Sequence, residues 1–168
     1  RLSDHFPKTK KFHPKQRLWY MRAKEVLISS GSIERPIVFG NNDTPGVMLS
    51  SAAKEYLKVY GVLVGKKPLV FTNIDSGYET AIEFKKNGID PIILDTRKEP
   101  QSEIIEEAKN MNIKIKNSHV VVAAQGYKKV KSADIAKISD NKEELGSIEN
   151  IQCDCICVSG FWTHTIHL

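Results

Sequence analysis

The sequence predicts an α/β fold: a strand–helix–strand unit on a parallel sheet, joined to an antiparallel β-meander and flanked by strands of a second, incomplete domain. Three observations predict it. Residues 69–71 and 92–94 are unbroken apolar runs, Leu-Val-Phe and Ile-Ile-Leu; strands without polar alternation are covered on both faces, as in parallel sheets. Between them, residues 76–87 place Tyr78, Ala81, Ile82 and Lys85 at helical spacing, with Gly88 where a helix stop belongs. Further on, residues 120–124 and 128–137 read as hairpin strands around Gln125, Gly126 and Tyr127. A strand, crossover helix and parallel strand of this length form one βαβ unit, the first piece of a Rossmann-like dinucleotide-binding domain.

The remaining elements follow in chain order. Residues 1–14 are polar, with Pro7 and Pro14, and read as loop or hairpin. Residues 17–21 (RLWYM) and 25–29 (EVLIS) read as strands, and the turn SSGS closes the second. Residues 33–39 cross toward a new segment, and 41–46, dense in turn formers, mark its boundary. A helix is predicted over 47–60, with Val47, Ala52, Ala53, Tyr56, Leu57 and Tyr60 on its apolar face and Gly61 at its end. After the βαβ unit, residues 103–111 form a helix with Ile104, Ile105, Ala108 and Met111 inward. Ser102 is its candidate cap, and Glu103, Glu106 and Glu107 suit its early turns. Residues 112–116 alternate as a strand, 135–138 extend the meander, 139–147 are polar loop, and 151–158 form the last strand. Two strands ending in a Ser-Gly turn, at 25–32 and 151–160, bracket the βαβ unit. They predict an outer dinucleotide-binding domain contributing residues 1–40, an inserted Rossmann-like domain over 41–150, and a return strand to the outer domain over 151–168.

A dinucleotide makes specific demands on the first βα turn. The G-x-G-x-x-G register falls on residues 72–77. Gly77 supplies the third glycine, which lets helix and strand pack closely, but Thr72 holds the first position and Ile74 the second. The second glycine admits the pyrophosphate to the backbone, and Ile74 puts a branched side chain there. Asp95 stands where an acidic residue binds the ribose diol. The frame and the acid are present while the phosphate cradle is damaged, which favours a unit kept for its shape. Asp75 and Ser76 are placed to cap the following helix rather than to act as a catalytic pair.

Composition excludes several classes. The chain has 168 residues with 25 Lys and Arg against 20 Asp and Glu, a net charge of +5. Much of the excess lies early, in Lys8, Lys10, Lys11, Lys15, Arg17, Arg22 and Lys24, without interleaved aromatics, so the run reads as a solvated face and not as a nucleic-acid surface. No stretch approaches the 18 apolar residues that span a membrane. The chain opens at Arg1 with no leader pattern, as a processed protein or an excised piece would. Cys153, Cys155 and Cys157, at every second residue, are predicted on one face of a strand as buried thiols, unsuited to a disulfide or a zinc knuckle and fitting a reducing cytoplasm. His5, His13, His119, His164 and His167 lack partners at metal-ligand spacing, so no metal site is predicted. No C-x-x-C pair is present, which disfavours a disulfide reductase.

Several separate motifs carry a family resemblance. SGSIERP, FGNNDTPGVML and YLKVYGV resemble the first crossing between domains in the alpha subunit of heterotetrameric sarcosine oxidase, a two-dinucleotide-domain flavoprotein. VFTNIDSGYETA is similar to that family's second Rossmann turn, which also lacks the full glycine set, and CDCICVSGFWTHTIHL resembles its return strand. The resemblance implies an internal fragment of a longer chain whose upstream turn binds NAD and whose downstream region binds folate. It implies a complex with other sarcosine oxidase-type subunits, FAD and FMN that oxidises sarcosine to glycine with tetrahydrofolate as one-carbon acceptor. It implies no catalytic residue here. Cofactor contacts would fall on Ser30, Gly31 and Ser32, on Asp75, Ser76, Gly77 and Asp95, and on Ser159 and Gly160. Ser29-Ser30-Gly31 replaces the usual Ala-Thr-Gly and keeps a hydroxyl; Phe161 replaces a frequent glycine, which would crowd a dinucleotide. The alternatives are a non-catalytic scaffolding module with the same frame, or the nucleotide domain of another NAD- or FAD-dependent oxidoreductase.

Overall fold

The computed structural model describes residues 18–139 and 145–166. The early basic run through Arg17, His5, His13 and His167 lies outside the described residues, as does the predicted loop or hairpin over 1–14. The chain divides into two units, Arg1–Ser30 and Gly31–Leu168. In the first, described residues 18–30 form no strand, and Leu18, Trp19, Tyr20, Met21, Val26 and Leu27 are largely exposed. This corrects the strand expected at 25–29 and, over its described residues 18–21, the one expected at 17–21. A strand needs a hydrogen-bonded neighbour, and none of the described ladders reaches these residues.

The second unit opens with β1 (Ser32–Arg35), followed by β2 (Val47–Leu49), α1 (Ser50–Tyr60), β3 (Pro68–Thr72), α2 (Ser76–Lys86) and β4 (Ile92–Asp95). Then come α3 (Glu103–Asn110), β5 (Lys114–Asn117), β6 (His119–Gly126), β7 (Val130–Ile138), β8 (Leu145–Gln152), β9 (Cys155–Ser159) and β10 (Phe161–His164). A parallel sheet in the order β2-β9-β3-β4-β5 carries the helices, β6-β7-β8 form the antiparallel meander, and β1 pairs with β10 in an antiparallel ribbon.

Both faces of the central sheet are covered, as its apolar strands require. Leu69, Phe71, Leu94, Ile156 and Val158 face the meander residues Val121, Ala133, Ile135 and Ile151. Phe39 meets Phe71 edge-on, with ring centroids 5.9 Å apart. The alternate residues Val70 and Ile93 face Ala53 and Leu57 of α1, Tyr78, Ala81 and Phe84 of α2, and Ile105 and Ala108 of α3. The period of two along β3 thus splits one apolar run between two cores.

Four local expectations need correction. The predicted first helix loses residues 47–49 to β2, because Val47, Met48 and Leu49 gain a ladder with Ile156, Cys157 and Val158 of β9. The polar loop expected over 139–147 gives way at Leu145 to β8, an edge strand of the meander. Its sequence reads as loop because edge strands need little apolar character: Ile151 is buried while Ile148 stays exposed. Residues 151–158 are not one strand: the chain leaves the meander at Gln152 and joins the parallel sheet at Cys155. The switch is held by Asp154, whose carboxylate accepts the backbone N–H groups of Lys66 (2.8 Å) and Lys67 (2.7 Å). The three cysteines are therefore not on one face; Cys153 packs in the meander-side core and Cys155 and Cys157 in the helix-side core. All three are buried and free.

β9 lies between β2 and β3 in the parallel sheet whose other strands come from segments within 41–150, and the chain departs from that sheet at Ser159–Gly160.

Candidate functional site

In parallel α/β sheets ligands bind outside the carboxyl ends of the strands, where neighbouring strands send their connections to opposite sides. Here that place lies between Thr72, the last residue of β3, and Ser159, the last residue of β9, which are paired in the ladder. It is filled by the chain's own groups. The fully buried Thr72 hydroxyl donates to the Ile74 carbonyl (2.7 Å), has the Ser159 carbonyl as second acceptor (3.1 Å), and accepts the Ile74 N–H (3.1 Å). The Asn73 N–H donates to the same Ser159 carbonyl at 3.3 Å. A Cβ on Gly77 would lie 2.6 Å from the Thr72 Cβ, so this glycine serves strand–helix packing.

A second set of contacts joins the ribbon to this seam. Ser159 Oγ donates to Glu34 Oε1 (2.6 Å), so its own lone pair receives Ser76 Oγ (2.9 Å). Trp162 Nε1 donates to Ser76 Oγ in turn (3.3 Å). Glu34, Trp162, Ser32 and His164 share one ribbon face, since Glu34 pairs with Trp162 and Ser32 with His164. Gly160 is required by a close approach: its N–H donates to the Arg35 carbonyl at 2.8 Å, and a Cβ there would lie 2.6 Å from that oxygen.

Asp95 and Asp75 form a third cluster. Asp95 is fully buried at the end of β4. Its Oδ2 accepts from the Tyr78 hydroxyl and Arg97 Nη2, each at 2.8 Å, and its Oδ1 accepts the Arg97 backbone N–H (2.8 Å) and Nε (3.1 Å). Arg97 Nη1 reaches on to Asp75 Oδ1 at 2.8 Å. Burial, together with the hydrogen bond and charge of Asp95, holds the Tyr78 hydroxyl well above its ordinary range, so it stays a donor. Burial works to lower the basicity of Arg97, but its bonds to Asp95 and Asp75 outweigh this and keep the guanidinium charged. A ribose diol has no access to a carboxylate sealed in this way.

The predicted residues thus separate into three places. Ser76, Gly77 and Ser159 meet at the seam; Gly160 lies at the near end of the ribbon. Asp75 and Asp95 meet through Arg97. Gly31, with a left-handed φ of 77°, and Ser32, whose hydroxyl bonds His164 Nδ1 at 3.2 Å, lie at the ribbon's far end. Ser30 closes the first unit. The predicted caps are corrected: Asp75 and Ser102 occupy the N-cap positions of α2 and α3 without a side-chain cap bond. Asp75 is drawn to Arg97 and Ser76 to Ser159 instead, and Ser102 Oγ is buried without a partner. Phe161 is half-exposed on the ribbon face opposite Trp162 and does not enter the seam. Sequence reasoning missed Glu34, Trp162, Tyr78 and Arg97. The D-x-R spacing of Asp95 and Arg97 was the available signal; the Glu34 contacts, 125 residues apart in the case of Ser159, left none.

The residues present do not fit a dinucleotide at the seam: the first two glycine positions carry Thr72 and Ile74, and the Thr72 hydroxyl occupies the turn. Among the described residues no group of three His, Cys, Asp or Glu is arranged to hold a metal, and no helix is long and apolar enough to cross a membrane.

A parallel sheet with helices on one face and an antiparallel meander on the other is a Rossmann-like α/β fold shared with thioredoxin reductases. The chain superposes on Lactococcus lactis thioredoxin reductase with a TM-score of 0.62 and 15% identity, covering 79% of this chain and 43% of that one. Against T. acidophilum thioredoxin reductase the TM-score is 0.60 at 15% identity, covering 79% and 42%. Histamine dehydrogenase from Rhizobium sp. 4-9 gives 0.60 at 14%, covering 81% and 22%. These likenesses establish the fold. The sequence is more specific: it is similar along its whole length to sarcosine oxidase alpha subunits, as its motifs indicated. It is 32% identical to that of Rhizobium meliloti (strain 1021) over 169 residues, covering 100% of this chain. It is 31% identical to that of Corynebacterium sp. (strain P-1) over 156 residues, covering 92%. The chain spans only 16% of the length of each of these relatives. No family model matches the sequence. These proteins are oxidoreductases by name, and the sequence relatives are named as one subunit of an enzyme.

Proposed function

We propose that this chain is a nucleotide-domain-like scaffold within a sarcosine oxidase-type alpha subunit, and that it holds no dinucleotide of its own. The single observation that carries this reading is the Thr72–Ser159 seam, where side-chain and backbone groups of the chain satisfy one another in the place a diphosphate would enter. The sealed Asp95 supports it from the ribose side. In this reading β1 and β10 are the two crossings to an outer dinucleotide-binding domain, NAD is held mainly by residues outside this chain, and FAD, FMN and tetrahydrofolate belong to the whole complex. That complex oxidatively demethylates sarcosine to glycine in the cytoplasm, with tetrahydrofolate taking the one-carbon unit. The part played here is architectural: the seam fixes β3, β9 and the ribbon relative to one another, and no residue moves a proton for the reaction. Titration of the chain with NAD, followed by calorimetry and amide NMR shifts, tests this. The expected result is no saturable heat and no shift at Ile74, Ser76 or Asp95; saturable binding with shifts at those three residues overturns it.

A further inference from the structure

Helix α1 begins without a cap of its own. Its N-cap position is Leu49, which makes no side-chain cap bond, and its first turn has no acidic residue. An α-helix leaves its first four N–H groups unpaired and its N-terminus partly positive, which an oxygen acceptor or an anion relieves. In this fold the acceptor comes from another element. Glu34, in the crossing ribbon, places Oε2 2.8 Å from the Ser51 N–H, the second residue of α1. Its other oxygen takes the Ser159 hydroxyl at the tip of β9. Glu34 is 4% exposed. A buried carboxylate is costly unless hydrogen-bond donors and a helix terminus compensate it; here those donors belong to α1 and β9.

We propose that Glu34 is the N-cap of α1 supplied in trans, and that it latches the crossing ribbon onto the carboxyl edge of the parallel sheet. One side chain then couples two events: α1 is capped only while the ribbon is seated, and the ribbon is seated only while Ser51 and Ser159 present their donors. Trp162, opposite Glu34 in the ribbon, makes a second hold through Ser76 Oγ. The ribbon is therefore a fixed strut on this domain and not a free hinge. The proposal stands apart from whether a nucleotide binds, because it concerns the chain's own contacts.

Hydrogen exchange by NMR on the chain tests it, comparing Glu34→Ala and Glu34→Gln with the parent at the Ser51 amide and the Trp162 indole N–H, whose resonance is distinct from that of Trp19. In Glu34→Ala both protons exchange about tenfold faster or more, the size expected when one charge-assisted bond is lost. Glu34→Gln keeps the shape with a neutral acceptor and gives a smaller acceleration at both sites; it decides the matter alone if the alanine variant does not fold. Acceleration at Ser51 with Trp162 unmoved in both variants overturns the latch, and no change at either site overturns the cap as well.

Discussion

Replacing Arg97 by alanine strands a carboxylate in the protein interior. Asp95 is completely buried, and Arg97 supplies both of its ionic contacts, Nη2 to Oδ2 at 2.8 Å and Nε to Oδ1 at 3.1 Å. Breaking a buried pair by removing one partner costs about 3–5 kcal/mol. Two features reduce this. The Arg97 side chain is 33% exposed, so water enters where it stood, and Asp95 keeps the Tyr78 hydroxyl and the backbone N–H of residue 97. The expected loss is therefore about 2–3 kcal/mol, read as a lower midpoint in urea at neutral pH with the slope unchanged. Asp75→Asn removes the other, 44% exposed, partner and should cost no more than about 1 kcal/mol. Asp95→Asn in the Arg97→Ala background should recover about 1–2 kcal/mol, because the stranded charge is gone. If Arg97→Ala costs no more than Asp75→Asn, Asp95 is not a buried charge that depends on Arg97, and the sealing of the ribose position has been misread.

Gly77→Ala is expected to destabilise the fold by about 1–3 kcal/mol through overpacking, since the new Cβ would meet the Thr72 Cβ at 2.6 Å; thermal unfolding measures this, and a neutral effect would show that α2 moves off β3 freely. Phe71→Ala should cost about 3–5 kcal/mol, because Phe71 is buried against the edge of Phe39; a loss under about 1 kcal/mol would mean that core collapses without strain. Stability should decline on the alkaline side. Burial, with the charges near Cys155 and Asp154, pushes the Cys153 thiol up to about 12, and the Cys155 contact and burial raise Cys157 well above the usual thiol range. The fold keeps protons that the unfolded chain releases from about pH 8.5, so stability is full below that pH. It then falls by about 1.4 kcal/mol per pH unit for each thiol as pH rises further. Unfolding midpoints from pH 7 to 10 check this, with Cys153→Ala predicted to lower the slope by about half; a flat profile would contradict it.

The parallel sheet was legible because its strands carry a strong signal: Leu69–Phe71 and Ile92–Leu94 are apolar on both faces, and Gly88 punctuates the helix between them. The meander's third strand was not, because an edge strand such as β8 buries one side chain in several and reads as loop. The shortened first helix has the same root: Val47–Leu49 fit a helix face by spacing, and only a partner 109 residues away in Ile156↔Val47 makes them a strand. At the candidate site, the loss of two glycines was visible in Thr72 and Ile74, but the spacing gave no sign that the Thr72 hydroxyl would lie in the turn, bonded to the Ile74 carbonyl and N–H. Asp95 was chosen for its position alone; that it is consumed by Tyr78 and Arg97 depends on tertiary placement of α2. Glu34 had no sequence signature because a cap supplied from a distant strand leaves the helix start simply looking uncapped.

The central claim, that the chain's own groups occupy the crevice at the tips of β3 and β9, is tested most directly by a crystal of the protein soaked in millimolar NAD. The account predicts an unchanged seam, with Thr72 still bonded to Ile74 and Ser159, Ser76 still on Ser159, and no dinucleotide above the turn. A diphosphate lying over Ile74, with the Thr72 hydroxyl turned aside and Asp95 released from Arg97 to meet a ribose, would contradict it.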